Sequence, residues 1–378
     1  MKTAIVGGGA AGFFCAIRLK ELMPGMEVTI LEQQRRVLRK VEISGGGRCN
    51  CTNTFADISD LSQAYPRGHR LLKRLFKQFG PEDAFRWFEQ HGVPLVVQPD
   101  QCVFPAAQDS HAIIQCFLGE ARRHGIGIRL NCKVEDPRQL LGSYDFVVVT
   151  TGGGGGVPSL FTFNIADTEL HGLMGTVAEH VLSSIPGTKF RAEGPLLITH
   201  WGMSGPAILK LSSYAARYLA EHAYQAPLSI NWTGETNTEL VRTHIIYILR
   251  ENEAKTLAGV RPYSLNARLW HYLLAKIGLG DRRCREIGPK QLSRLTELLT
   301  NDQYRISGRY HYKEEFVTCG GIPLDTVNSH TLESKQAPRL YYAGEVLDID
   351  GITGGFNFQA AWTTADAVAR GIAFSLLP

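Results

Sequence analysis

The chain has 378 residues, an apolar fraction of 44%, a formal charge of +4, 39 glycines and eight cysteines. That length favours two or three domains with enough apolar side chains for a sizeable core. So small a charge gives no argument for a nucleic-acid or anionic-membrane partner, and no apolar stretch reaches the roughly 18 residues that span a bilayer.

The N-terminal run "MKTAIVGGGAAGFFCAIRL" is broken by three glycines and followed by Arg18, so it reads as strand, turn and helix, not as an export signal. Thr3 to Val6 is a buried strand leading into Gly7-x-Gly9-x-x-Gly12. Phe13, Ala16, Ile17 and Lys20 then repeat at helical spacing. A second strand, "EVTILE", ends on Glu32. Strand, GxGxxG, helix, strand and an acid about 20 residues after the last glycine form a dinucleotide-binding fingerprint. Gly7 allows the tight turn, Gly9 lets the backbone approach a pyrophosphate, and Gly12 lets helix and strand close up. The helix N-terminus at Ala10 and Ala11 offers N–H groups to phosphate. Glu32 is placed to accept from the ribose and would repel a 2′-phosphate, so Arg35 and Arg36 read as solvated.

Next comes "VEISGGGRCNCTN", Val41 to Asn53. A metal site would need third and fourth ligands near Cys49 and Cys51, and none follow, so no metal is expected. A C-x-C disulfide is strained in extended chain, where alternate side chains point apart. Gly45, Gly46 and Gly47 instead read as a backbone that approaches a ligand, with Arg48 and Asn50 orienting polar groups and the cysteines packed. The eight cysteines, with no C-x-x-C, read as free thiols of a cytoplasmic protein. Leu71, Leu72, Leu75, Phe76 and Phe79 mark a helix whose lysines and arginines read as a solvated face. Short strands with turns at Pro99 and Asp100 follow, then the strand "GIRLNCKVE".

"YDFVVVTTGG" is a buried strand, Phe146 to Val149, ending at Thr151, Gly152 and Gly153. Five glycines run from Gly152 to Gly156; the last three read as an exposed connection into Val157 and Pro158, standing in for a longer segment. "PLLITHWGMSGPAILKL" reads as strand, loop and helix, with Pro206 in the first helical turn. His200 and Ser204 lack an acid partner and the G-x-S-x-G spacing, which argues against hydrolysis. Residues 237–299 have helical patterns, and "YRISGRYHYKEEFVTCGG" returns through strands. Finally "LYYAGE" is a strand, and Gly351, Gly354 and Gly355 open a long helix from Asn357 to Arg370. A dinucleotide with several contacting segments is FAD rather than NAD: the glycine stretch at 45–47, the end of the 146–149 strand and this C-terminal turn supply them, with Glu345 and Asp348 as acceptors for ribityl hydroxyls. No second GxGxxG marks a separate NAD(P)H domain, which leaves NAD(P)H as a transient reductant.

The stretches "ISGGGRCNCTN", "TTGG", "THWGMSGPA", "VTCGG" and "YYAGEVLDIDGITGGFNFQAAW" together resemble the bacterial YhiN/BaiN-like family of FAD-dependent oxidoreductases, over nearly the whole chain and in the family's order. The run after Gly153 departs from it, since the family continues with a longer segment leading to a Gly-His turn. The resemblance implies an α/β fold: a split FAD-binding Rossmann-like domain (1–156 and 316–378), an inserted β-rich domain (157–236 and 300–315) and a small helical subdomain (237–299). It implies non-covalent FAD held by Gly7, Gly9, Ala10, Ala11, Gly12, Glu32, Gln33, Ser44 to Asn50, the backbone near Val134, Thr151 to Gly153, Gly344, Glu345, Asp348 and Gly354 to Asn357. His200 and Cys49 are the candidate catalytic residues. The expected activity is transfer of hydride or electrons to a small molecule, with an RNA-modifying flavoprotein or a non-catalytic flavin sensor as the alternatives.

Overall fold

Short runs of valine, isoleucine and leucine become strands where both faces can be buried. In the structure, a computed structural model that describes residues 1–154, 156–310 and 317–376, the chain forms two units: Met1–Val157 with Val317–Pro378, and Pro158–Phe316. The first unit begins with β1 (Lys2–Val6), α1 (Ala10–Leu22), β2 (Glu27–Leu31), α2 (His69–Leu75), α3 (Pro81–Gln90), α4 (His111–Arg123), β3 (Gly127–Arg129) and β4 (Phe146–Val149). The second contains β5 (Phe163–Ile165), β6 (Val177–Ser184), β7 (Arg191–Thr199), β8 (Gly202–Ser204), β9 (Ala226–Asn231), α5 (Thr238–Glu251), α6 (Ala267–Ile277), α7 (Pro289–Thr300) and β10 (Asp302–Arg309). The chain re-enters the first unit with β11 (Leu340–Tyr342) and α8 (Phe356–Phe374).

The first unit is built on a parallel sheet in the order β11-β4-β1-β2-β3. Thr3 of the central strand lies opposite both Val28 and Phe146, and Leu340 lies opposite Val147. α1 and α8 pack together, and Trp362 of α8 sits within 5.6 Å, ring centre to ring centre, of Phe14, Phe88 and Phe117. Asp366 is fully buried between the helices and accepts from Arg18 Nε at 2.8 Å and Arg370 Nε at 2.6 Å. The strand expected over 127–135 stops at Arg129, although the Cys132 N–H still reaches the Glu32 carbonyl at 2.8 Å.

The second unit is a closed antiparallel barrel in the order β6-β7-β8-β5-β10-β9, and residues 237–299 supply α5, α6 and α7. Buried Asp302 accepts from Trp232 Nε1 at 3.0 Å, from the Tyr304 hydroxyl at 2.6 Å and from Lys276. Strand structure expected around Tyr304 to Gly321 is present at Asp302–Arg309 and Val317–Cys319; residues 311–316 lie outside the described residues.

The glycine run is not a free connection throughout. A methyl carbon on Gly153 would lie 2.4 Å from Thr318 Cβ, and one on Gly156 would lie 2.4 Å from the Cys319 carbonyl oxygen. Close approach to Thr318 and Cys319 thus requires glycine at both positions, whereas Gly154 is exposed with open space around it. Gly155 lies outside the described residues.

One half-buried ion pair of this unit is sensitive to pH. His91 stacks on Trp87 at 4.0 Å; its Nδ1 faces the Trp87 carbonyl at 2.6 Å and its Nε2 faces Glu21 Oε1 at 3.0 Å. Burial opposes the charged ring, but the bonds to Glu21 and to the Trp87 carbonyl prevail and the His91 pKa is raised. Burial likewise opposes the Glu21 carboxylate, yet the bond to His91 and the Arg18 guanidinium hold its pKa down. A raised histidine contributes stability that is complete below the unfolded value of about 6.5 and is lost as pH rises through the folded value. A depressed glutamate contributes stability that is complete above about 4.3 and is lost as pH falls through its folded value. Thermal midpoints of the parent and His91→Phe should therefore differ most near about pH 5.5 and converge on the alkaline side. A gap that is constant with pH would exclude the pair as the source.

Candidate functional site

The site grows from the C-terminal ends of β1, β2 and β4. A methyl carbon on Gly12 would lie 2.0 Å from the Gly7 carbonyl oxygen, and one on Gly7 would lie 2.5 Å from the Thr150 carbonyl oxygen. The Thr150 hydroxyl donates to the carbonyls of Val6 and Gly7 at 3.1 and 2.9 Å, which clips β4 onto the turn. Around Gly9, by contrast, a methyl carbon would meet nothing within 4 Å. No side chain caps α1, whose first bond inside the helix runs from the Phe13 N–H to the Gly9 carbonyl at 3.1 Å. The amides of Ala10, Ala11 and Gly12 thus have no side-chain cap at the positive end of a 13-residue helix, beside the open space at Gly9, which is the arrangement of an anion cradle.

Glu32 borders this cradle. Its Oε2 accepts from the Gly8 N–H at 2.8 Å and its Oε1 from the Gln34 N–H at 2.7 Å, so the carboxylate first holds the glycine turn against the end of β2. Gln33 beside it is exposed. Val134 is half-buried against the cluster of Ala4, Val6, Leu31 and Val149, with Cys132 bonded back to residue 32.

The segment 39–47 is helical only in part. Ser44 is extended, Gly45, Gly46 and Gly47 have φ of 57°, 68° and 84°, and non-glycine Cys49 also has a positive φ of 58°. The Ser44 hydroxyl donates to the Val41 carbonyl at 2.8 Å, and the Arg48 guanidinium lies 4.3 Å from the Phe104 ring centre. This loop closes on the N-terminus of α8. Asn50, its amide oriented to donate to the Thr52 carbonyl at 2.8 Å, accepts from the Gly355 N–H at 3.2 Å. Asn53 Nδ2 donates to the Gly354 carbonyl at 3.0 Å, and Trp362 Nε1 donates to the Cys51 carbonyl at 2.8 Å.

The C-terminal turn is held from its other side too. Asn357 exchanges two bonds with the Gly351 backbone, at 2.8 and 2.9 Å. The buried Tyr65 hydroxyl donates to the Phe356 carbonyl at 2.8 Å. Asp350, wholly buried, takes both arms of the Arg67 guanidinium. α8 has no side-chain cap, and its first internal bond runs from the Gln359 N–H to the Gly355 carbonyl at 3.0 Å. Two uncapped helix N-termini therefore belong to one unit.

A third group joins them. Glu345 accepts from Lys40 Nζ at 2.7 Å and from the Thr318 N–H at 2.9 Å, and a methyl carbon on Gly152 would lie 3.7 Å from the same carboxylate. A methyl carbon on Gly344 would lie 2.7 Å from Ala11 Cβ, so this turn abuts α1. Thr151 is exposed, and the Asp348 N–H donates to the Ile322 carbonyl at 3.0 Å. Sequence reading missed Lys40, Tyr65, Arg67 and Trp362. Their partners lie hundreds of residues away, and no spacing rule signals such contacts.

The candidate catalytic residues part company here. His200, in the second unit, is exposed and stands edge-on to Trp201 at 4.4 Å. Cys49 is fully buried, and burial pushes its thiol up to about 12. Cys51 is also buried and free, and burial raises its thiol well above the ordinary value. A buried thiol of this kind is no nucleophile at neutral pH.

A family model described as "HI0933-like protein Rossmann domain" matches residues 1–371. The chain is 26% identical over 405 residues to "Ribosomal RNA dihydrouridine synthase" of Escherichia coli (strain K12), covering 97% of this chain and 96% of that protein. It is 25% identical over 412 residues to "3-dehydro-bile acid delta(4,6)-reductase" of Clostridium scindens, covering 98% and 99%. Both alignments are longer than the 378 residues of this chain, so the relatives carry residues where it has none. The solved structure of a 3-ketosteroid delta1-dehydrogenase from Sterolibacterium denitrificans superposes with a TM-score of 0.47 at 11% identity, covering 99% of each chain.

The burial of the two thiols generates a direct test. With iodoacetamide at about pH 8, Cys49 and Cys51 should stay unmodified in the native protein and alkylate fully after denaturation, as read by peptide mass spectrometry. Rapid native alkylation of Cys49 would restore it as a reactive group.

Proposed function

The chain belongs to the HI0933-like Rossmann family, the YhiN/BaiN-like FAD-dependent oxidoreductases, and on that premise we propose that it binds FAD non-covalently and reduces a carbon–carbon double bond conjugated to a carbonyl. The observation that carries the reading is the open, uncapped N-terminus of α1 behind Gly7 and Gly9, with Glu32 at its side. Such a cradle suits a pyrophosphate flanked by a ribose, and the residues present fit the group.

In this reading Gly9 to Gly12 hold the pyrophosphate, and Glu32 accepts from the adenosine ribose through lone pairs left over from its two backbone bonds. The backbone near Val134 faces adenine. Ser44 to Asn50, Thr151 to Gly153, Gly344, Glu345 and Asp348 line the ribityl chain and ring. The N-terminus of α8, Gly354 to Asn357, presents N–H groups to a polarised carbonyl. When bound, FAD supplies hydride transfer. The chain's own work is to hold it, to exclude water and to set charge around it through Lys40 and Glu345. NAD(P)H serves as a transient reductant that needs no second Rossmann fold.

Support for the reaction class comes from the relatives. One is named for forming dihydrouridine and one for reducing delta(4,6) unsaturation. Adding two hydrogens across a ring double bond is common to both names.

Acid precipitation of the purified protein should release FAD, not FMN, with no flavin left on the polypeptide. Glu32→Ala should weaken FAD binding by about 1.5–3 kcal/mol, the range for a charged hydrogen bond, and Glu32→Gln by less. Because Glu32 also bonds Gly8 and Gln34, circular dichroism should confirm that both variants fold. Equal flavin retention in parent and variants would reject the ribose contact. Anaerobic mixing with NADH or NADPH should bleach the flavin, and a conjugated enone should reoxidise it.

A further inference from the structure

Residues 37–40 and 343–345 reach the entry of α1 from opposite flanks of β1. On the β2 flank, the Leu38 N–H donates to the Gly8 carbonyl at 2.9 Å, and a methyl carbon on Gly8 would lie 2.8 Å from Val37 Cγ1. On the β4 and β11 flank, the Ala343 N–H donates to the Val149 carbonyl at 3.1 Å, and the turn at Gly344 abuts Ala11. Gly8 and Ala11 bracket Gly9 and Ala10, where the proposed pyrophosphate site begins. From these two footings the side chains of Lys40 and Glu345 meet at 2.7 Å. The sheet order β11-β4-β1-β2-β3 puts the footings on either side of the central strand, so the pair spans the C-terminal edge of the sheet.

The two partners are not held equally. The second oxygen of Glu345 accepts from the Thr318 N–H at 2.9 Å, and this side chain is only 20% exposed. Lys40 is 58% exposed, and among the described residues its ion-pair partner is Glu345. The carboxylate is therefore the fixed half and the lysine the moving half. A flexible, exposed lysine leaves and re-forms such a pair at small cost. Gly152, with a left-handed φ of 81°, lies against both, since a methyl carbon there would stand 3.7 Å from Glu345 Oε2 and 3.9 Å from Lys40 Nζ.

We propose that Lys40 and Glu345 form a latch across the α1 entry that closes over FAD and sets how fast the cofactor enters and leaves. The proposal rests on the reading of this unit as one that binds FAD. A pair that joins the two flanks retains a cofactor lying between them without touching its phosphates. A latch raises the barrier to entry and to exit alike, so its loss speeds both and changes the equilibrium affinity little. A direct ligand of the phosphates would slow exit alone, and a tie that serves only the fold would alter neither rate.

The test follows flavin fluorescence, on dilution of the flavin-loaded full-length protein for release and on mixing FAD with the stripped protein for uptake. K40Q should speed release and uptake together by about three- to fivefold, the range open to an exposed ion pair, while K40R keeps the parent rates. E345Q, which retains an acceptor oxygen for Thr318, should speed release as well, and K40Q/E345Q should be no faster than E345Q alone. Added salt should speed release from the parent more than from K40Q, because screening weakens a pair that the variant lacks. Faster release from K40Q with unchanged uptake would make Lys40 a direct ligand and overturn the latch. Parent-like rates in K40Q, or single effects that multiply in the double variant, would overturn it too. A protein that neither carries nor takes up flavin would overturn the flavin reading and the latch with it, an outcome distinct from a flavin-loaded protein whose rates do not move.

Discussion

Everything in the first unit depends on the place where two backbones come closer than any side chain permits. The Gly7 carbonyl sits where a Gly12 side chain would be, and the Thr150 carbonyl sits where a Gly7 side chain would be. Because α1 starts so close to the end of β1, its amides are delivered to the top of the sheet without a capping side chain. An uncapped N-terminus is normally a cost. Here the unused N–H groups and the open space at Gly9 are the features that the proposed pyrophosphate site draws on. Glu32 and Thr150 then serve the turn before they serve a ligand, since each holds a glycine-loop backbone group in place.

The second constraint is that a domain split between chain ends must be sewn together. Apolar packing of α1 on α8 gives area but little register. Register comes from polar bonds between distant residues: Arg18 with Asp366, Arg67 with Asp350, Trp362 with the Cys51 carbonyl, and Asn53 with the Gly354 carbonyl. Two of these carboxylates are wholly buried. Removing a partner from such a pair leaves a buried charge and costs on the order of 3–5 kcal/mol, although the pair as a whole adds much less. Such bonds choose one docking of α8 over its neighbours, and that choice places a second uncapped helix N-terminus in the same unit as the first.

The glycine-rich turns and the run at 152–156 look alike in sequence but do different work. At Gly45 to Gly47 glycine supplies a left-handed backbone; at Gly153 and Gly156 it supplies clearance for Thr318 and Cys319; at Gly154 neither requirement is visible. Composition cannot separate these cases, because positive φ and steric clearance both select the same residue.

The sequence by itself determined the α/β class, the strand-loop-helix fingerprint at residues 3–12, the acid at the end of β2, the buried strand at 146–149 and the long C-terminal helix. These are local: hydrophobic period and glycine spacing act over a few residues and need no partner to be read. Family membership also follows from the order of such motifs. Only the tertiary structure decided that Glu32 is bound to Gly8, that Lys40 meets Glu345 across 305 positions, that Cys49 is buried beyond reactivity, and that the residues after 157 close into a barrel. The same holds for α2, which in sequence is an ordinary amphipathic pattern and in the fold is fastened to the C-terminal turn through Arg67 and Asp350. Each of these depends on which distant segment arrives at a surface, and burial and charge pairing are set by that arrival and not by the residue's neighbours in the chain.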